Sequence, residues 1–358
     1  MQAHRLILPV ALLVPTLLGS HLPTDRVRFA PSEGSSVTKT FVNKAELTLQ
    51  SMNVTMNGQD LPTKPEMEMT INSDQKVVVT DQYVANRDGA PKKLKRSFDE
   101  LGNTVSVAMK MAMMGQSQNK DQNMTGESEL QGKKVVFTWD DDKGAYSKAF
   151  DPALDKDGLL KDLEEDMDLR VLLPTHEVKT GDSWDIDDVK TLASVLAPGG
   201  NLSILPKDMS SDEMAMSGMP GMGSMGDWLR GSLEGSAKAT FTGVSEVDGA
   251  KVAKIKIEAK ITVSKDMTDL VQEAMKKAKL PPEAQNMSFD HMDIDYKLEA
   301  DGELQWDLGA GRMHSFEMTG PSKVNMDMAM KIEAQGQKMN IGYTMELAGT
   351  TSLKVEAK

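Results

Sequence analysis

Two neighbouring stretches late in the chain alternate strictly between apolar and polar residues, and that period of two commits them to strands with one face buried. In the first, Val324, Met326, Met328, Met330 and Ile332 stand opposite Asn325, Asp327, Lys331 and Glu333. In the second, Met339, Ile341, Tyr343, Met345 and Leu347 stand opposite Lys338, Asn340, Thr344 and Glu346. Gln335-Gly336 lies between them and predicts a hairpin. The same alternation occurs earlier, at Met67, Met69 and Ile71 and again at Val105, Val107, Met109, Met111 and Met113.

Residues that tolerate positive φ or local turn bonding punctuate the rest of the chain. They are Asn57-Gly58, Ser73-Asp74, Asp88-Gly89, Gly102-Asn103, Gln131-Gly132, Asp248-Gly249, Asp301-Gly302 and Gly309-Ala310-Gly311. Short strands between such turns predict a mainly β protein of curved antiparallel sheets, a meander or half-barrel, with two or three packed helices. Helical spacing is found at 153–169, from Asp187 to Leu196, and from Lys265 to Lys279 before Pro281-Pro282. The expected organisation is a signal peptide at 1–20, a β-rich half at 21–204 with a helical insertion, a Met/Gly-rich loop or linker at 205–228, and a second β-rich half at 229–358.

Methionine is the unusual residue: 28 of them, against four Trp, four Tyr and eight Phe. Six fall in the loop, Met209, Met214, Met216, Met219, Met222 and Met225, among small residues. Thioethers at such spacing are a candidate Cu(I) or Ag(I) site, and equally a plain linker. The strand methionines have two readings as well. They fill a core short of aromatics, or Met326, Met328, Met330, Met339 and Met345 line an adaptable cavity for a hydrophobic small molecule or lipid.

His4 and Arg5 followed by an apolar run from Leu6 to Leu18 have the layout of a secretory signal, so export to a periplasm or the medium is expected. The run is too short for a permanent span, and any membrane contact is expected to be peripheral. The absence of cysteine excludes disulfides and thiolate chemistry. A formal net charge of -13 argues against nucleic acid as a partner. No metalloprotease, phosphate-loop, dinucleotide or serine-elbow motif is present, so no catalytic residue is assigned and a non-enzymatic binding or scaffold role is expected. Asp155, Asp157, Gly158 and Glu164 match part of a calcium-loop pattern whose first ligand position is Ala153. His291 lies beside Asp290 and Asp293, as surface polar residues before a strand commonly do.

The segment Leu173-Pro174-Thr175-His176-Glu177-Val178-Lys179-Thr180-Gly181-Asp182-Ser183-Trp184 and the hairpin Asp301-Gly302-Glu303-Leu304-Gln305-Trp306-Asp307 resemble uncharacterised exported β-proteins of environmental bacteria, Planctomycetes-like lineages among them. The strand pattern is similar to the curved half-barrels of the LolA- and LppX-like lipoprotein-carrier class. The resemblance implies carriage of a hydrophobic ligand and assigns no catalytic residue. Physically, Gly181-Asp182 makes a turn and Trp184 covers the end of a sheet. The lipid-modified cysteine of lipoprotein relatives has no counterpart here.

Overall fold

The computed structural model describes residues 26–61, 66–113, 116–207, 233–277, 287–334 and 337–358. The expected signal segment and the six loop methionines, Met209 to Met225, lie outside these residues, as does Gln335-Gly336.

The described strands are β1 (Ser36–Met56), β2 (Gln59–Asp60), β3 (Glu66–Arg87), β4 (Ala90–Met113), β5 (Gln116–Ser128), β6 (Lys134–Asp140), β7 (Ala145–Phe150), β8 (Ser183–Ile186), β9 (Ile204–Pro206), β10 (Leu233–Val247), β11 (Ala250–Asp266), β12 (Met287–Asp307), β13 (Arg312–Ala334) and β14 (Gln337–Ala357). They form one antiparallel sheet in the order β7-β6-β4-β3-β1-β14-β13-β12-β11-β10-β8. The sheet is open, with β7 and β8 at its edges, while β5 pairs β4 and β2 pairs the end of β1. Most neighbours are hairpin partners. The pair most distant in sequence is β1 with β14, whose register runs from Lys39↔Ala357 to Met56↔Ile341 and makes residues before and after the loop one sheet.

The sheet is curved, and one face of it, the inner face, carries the hydrophobic core, a single buried cluster that runs from Phe137 of β6 to Phe241 of β10 across eight strand-to-strand steps. The other carries charge in cross-strand pairs such as Lys323–Glu346, Lys44–Asp74 and Lys76–Glu100.

The chain must cross from the edge at β7 to the opposite edge at β8, and it does so over the inner face. This crossing, residues 151–203, buries Leu160, Leu163, Met167, Leu169, Leu172, Val178, Leu192, Val195 and Leu202 against the sheet. Helix α1 (Val189–Leu196) matches the expected helix there. Helix α2 (Thr268–Lys277) packs on β12, with Met267 and Val271 buried. No α-helix forms over 153–169. That segment has short 3-10 turns at Asp157–Leu160 and Arg170–Leu172, and Leu169 adopts a left-handed φ of 54°. Its helical spacing serves a meandering path on which Leu160, Leu163, Met167 and Leu169 are buried against the sheet while Leu154 is exposed.

Several expected turns are also absent as turns. Ser73-Asp74, Gly102-Asn103 and Asp301-Gly302 lie inside β3, β4 and β12, which run 22, 24 and 21 residues without a break. Pairing on both sides outweighs the local turn preference of these dipeptides. Where the strands bend, glycine is structural. A Cβ on Gly349 would overlap the Glu46 carbonyl oxygen, one on Gly320 the Glu299 carbonyl oxygen, and one on Gly302 would lie 2.6 Å from the Glu317 carbonyl oxygen. Asn57-Gly58, Asp88-Gly89 and Asp248-Gly249 do turn, with left-handed φ of 51° at both Asn57 and Asp248.

Helix α1 starts on Asp188, whose Oδ2 accepts from the Thr191 backbone N–H at 3.2 Å and from its hydroxyl at 2.9 Å. Asp188→Ala should lower stability by about 1 kcal/mol, read as a small shift of the urea midpoint at constant slope.

Candidate apolar ligand site

The crossing segment covers only one half of the inner face. A buried charge network fixes it there. Lys39 of β1 stands between Val37 and Phe41, Asp81 of β3 follows Val77 and Val79 in the same alternation, and Arg96 of β4 stands between Leu94 and Phe98. The alternation therefore turns all three charges inward. Lys39 Nζ reaches Asp81 at 2.8 Å and Asp168 of the crossing at 2.9 Å. Arg96 grips Asp81 through Nε at 2.7 Å and a terminal nitrogen at 2.8 Å, and it donates to the carbonyl oxygens of Glu164 and Glu165. The Tyr83 hydroxyl donates to Asp168 at 2.9 Å. Two cations and two anions thus neutralise each other out of contact with water.

Burial alone would raise the Asp81 carboxyl, but Arg96 and Lys39 outweigh it and hold the group down at about 2. Burial, reinforced by Asp168 and Asp81, pushes the Tyr83 phenol well up. Beside this network Arg170 pairs with Glu165 at 2.5 Å and with Asp166 at 3.1 Å. Burial raises the Glu165 carboxyl in spite of Arg170. An open cleft of about 540 Å³ lies outside it, lined by Arg87, Tyr146, Lys148 and Arg170 among others. These charges tie the crossing to the sheet, since each faces a partner on it or within the segment.

Beyond the crossing the inner face narrows to small and polar side chains. The Thr351 hydroxyl donates to that of Ser322 at 2.9 Å and meets the Tyr296 hydroxyl at 3.4 Å. Two small cavities, about 50 Å³ and 20 Å³, share Asn43, Leu196 and Leu353 and mark where the crossing ends.

Past this waist the inner face changes composition. Against the crossing it is built mainly of Val, Phe, Leu and Ile, such as Val79, Phe98, Phe316 and Val355, each at most 1% exposed, with Met313 and Met318 buried among them. Further along the same strands methionine takes over, and most of these side chains are half-buried. The register sets them in rows across β1, β14, β13 and β12. Met52, Met345, Met326 and Ile294 form one row, and Val54, Tyr343, Met328 and Met292 the next. Met56, Ile341, Met330 and Phe289 form a third, and Met339 stands opposite Ile332 and Met287 beyond it. Met56 is 41% exposed, whereas Met292 and Ile294, on the strand that α2 packs against, are buried. Strand β3 leaves β1 after Thr48↔Thr70, and its Met69 and Met67 pair with Met109 and Met111 of β4 instead.

All five methionines singled out as ligand-lining, Met326, Met328, Met330, Met339 and Met345, therefore share this face. Met52 and Met292 complete it but escape a reading of the sequence, because only the β1–β14 pairing and the α2–β12 packing bring them there. Local signals exist in the alternation of Met52, Val54 and Met56 and in that of Met292, Ile294, Tyr296 and Leu298. His291 does not enter the site. It is exposed and meets Asp327 at 3.2 Å. Glu164 accepts from the Ser194 hydroxyl of α1 at 3.1 Å, and among the described residues no three His, Asp or Glu side chains converge as a metal site. The Gly181 turn and Trp184 behave as expected: Gly181 has φ 96°, and the Trp184 indole donates to the Leu172 carbonyl oxygen at 3.3 Å.

No protein-family model matches the chain, and no curated protein matches it. Among solved structures it is similar to an outer-membrane channel from Pseudomonas putida F1, at 8% identity and a TM-score of 0.19, covering 92% of this chain and 97% of that one. The β domain of the Bordetella autotransporter BrkA gives 8% identity and a TM-score of 0.16, covering 88% and 98%. These scores are far below those of a shared fold. The outward residues of β11 and β12 include Lys254, Lys256, Glu258, Lys260, Glu299, Asp301 and Glu303.

Proposed function

We propose that the chain is a non-enzymatic, exported binding protein that carries a hydrophobic ligand with flexible chains, such as a lipid, on the methionine-rich half of its inner face. The change of residue type along single strands carries this reading. Where the crossing packs, the strands use stiff side chains that specify one arrangement. Beyond the crossing, they use a flexible thioether side chain that conforms to variable partners. A face meant only to be buried by its own chain has no need of that switch. The same rows give an apolar surface across β1, β14 and β13, bordered by the buried Met292 and Ile294 of β12, with polar side chains confined to the waist.

The layout also accounts for affinity without a charged anchor. Each buried methylene of a bound chain contributes about 0.8 kcal/mol, so a ligand of ten or more carbons needs only partial burial to bind. Export and an envelope location are part of the proposal, on the N-terminal pattern of His4, Arg5 and the apolar run that follows.

The test is a titration of the mature protein with an environment-sensitive fatty-acid probe. Micromolar binding with a blue-shifted emission is expected. Met328→Lys, a charge in the centre of the face, should weaken it at least tenfold, about 1.4 kcal/mol. Met328→Leu should leave it within about twofold. Equal binding by the Lys variant would remove the face from consideration, and absence of binding by the parent would end the carrier reading.

A further inference from the structure

The same rows place sulfur as well as hydrocarbon, and sulfur has a chemistry of its own. Met52, Met345 and Met326 occupy one row on three adjacent strands, in the pairs Met52↔Met345 and Met345↔Met326. Their alternation with polar neighbours turns all three side chains to the inner face, and all three are half-buried, hence reachable from solvent. Directly opposed residues have Cβ atoms about 4.5–5.5 Å apart, and each methionine extends its Sδ two bonds further on rotatable links. Three sulfurs on such a row can approach one point above the central strand. Met328 follows in the adjacent row, two residues from Met326.

We infer that the thioethers of Met52, Met326 and Met345 form a three-sulfur site for a soft monovalent cation, Cu(I) or Ag(I). Neutral soft ligands select such ions, whereas calcium, magnesium and zinc require carboxylate, imidazole or thiolate donors that this row lacks. The ligands carry no proton, so binding releases none and depends little on pH. Coordination adds a metal ion and loses only its solvent or carrier ligands, with no change of oxidation state. Apolar and aromatic side chains flank the row, Leu49, Leu347 and Val324 on one side and Val54 and Tyr343 on the other. The inference uses the sulfur atoms and stands apart from the carrier proposal, which uses apolar area alone.

The experiment is an Ag(I) titration of the full chain, followed by calorimetry and by native mass spectrometry, with the fatty-acid probe run in parallel. A variant with the six loop methionines, Met209, Met214, Met216, Met219, Met222 and Met225, changed to leucine should keep one tight silver ion. The triple variant M52L/M326L/M345L should lose that ion, with affinity falling at least about tenfold for each thioether removed. Leucine is close to methionine in volume, so the fold is expected to survive, and an unchanged circular dichroism spectrum and urea midpoint would confirm it. Should the triple variant unfold, Met345→Leu alone takes its place and should weaken silver about tenfold. X-ray absorption of the silver or Cu(I) form should show sulfur scatterers only. A tight ion that disappears with the loop methionines and ignores the strand triple would overturn the inference, as would no tight ion in the parent. Loss of probe binding with silver binding intact would instead strike at the carrier reading.

Discussion

Arg96→Met should destabilise the protein by about 3–5 kcal/mol, the cost of leaving a buried charge without its partner. The variant leaves Asp81 and Asp168 facing Lys39 alone, one uncompensated negative charge in a site without water. It also removes the donors that now satisfy the Glu164 and Glu165 carbonyl oxygens. Urea denaturation followed by tryptophan fluorescence reads the loss as a lower midpoint at unchanged slope. A loss under about 1 kcal/mol would mean that the network is hydrated and does not hold the crossing segment. The pair Asp81→Asn and Arg96→Met, measured singly and together, should show coupling of 2 kcal/mol or more, since the two side chains share two hydrogen bonds.

The same network sets the behaviour in acid. The Asp81 carboxyl sits at about 2 in the folded protein against an ordinary 3.8. A carboxyl depressed on folding stabilises above its unfolded value and loses that contribution as pH falls toward the folded one. Asp81 therefore adds about 2 kcal/mol at pH 5 and above, which disappears between about pH 4 and pH 2. In the Arg96→Met variant this part of the acid transition should be strongly reduced.

Gly349→Val should be about as damaging as the loss of Arg96 and should differ in kind. A side chain there meets the Glu46 carbonyl oxygen and the Leu47 backbone of the partner strand, so β14 and β1 must separate where they join the two parts of the sheet. Overpacking usually costs about 1–3 kcal/mol; contact with backbone on a strand paired on both sides puts this variant at or above the upper figure. Gly349→Ala should show a smaller loss in the same direction. Hydrogen exchange should localise it, with faster exchange on β1 near Glu46 and on β14, and little change on β6 and β7. Uniform loosening of the whole sheet, or stability unchanged in both variants, would contradict this account of the bend.

The strands that alternate cleanly, β13 and β14, are legible in the sequence because each buries one face against its neighbours' same face. The long continuous strands are harder to read. Ser73-Asp74 and Asp301-Gly302 carry turn chemistry, yet pairing on both flanks holds them extended, and pairing across 300 residues is invisible locally. The charge network is half-legible. Lys39 and Arg96 interrupt apolar alternations at inward positions, which marks them as unusual, but only the sheet order brings Asp81 beside both and the crossing brings Asp168. For the ligand face, the alternation selects Met326, Met328, Met330, Met339 and Met345. The partners that make them a continuous surface come from strand register, which no local pattern encodes.

The pairing of β1 with β14 also governs the order in which this molecule can be born. The first long strand of the sheet gains its second neighbour only when the last has been made, and Lys39 meets Ala357 across a gap of more than 300 positions. Closure of so large a loop slows folding, and until it occurs β1 offers one unpaired edge with an apolar side. Conversely, Thr38 and Lys358 exchange two backbone hydrogen bonds at 2.8 and 2.9 Å, so a rearranged gene that links these ends and opens the chain at another turn would make the pair a local hairpin and should quicken assembly.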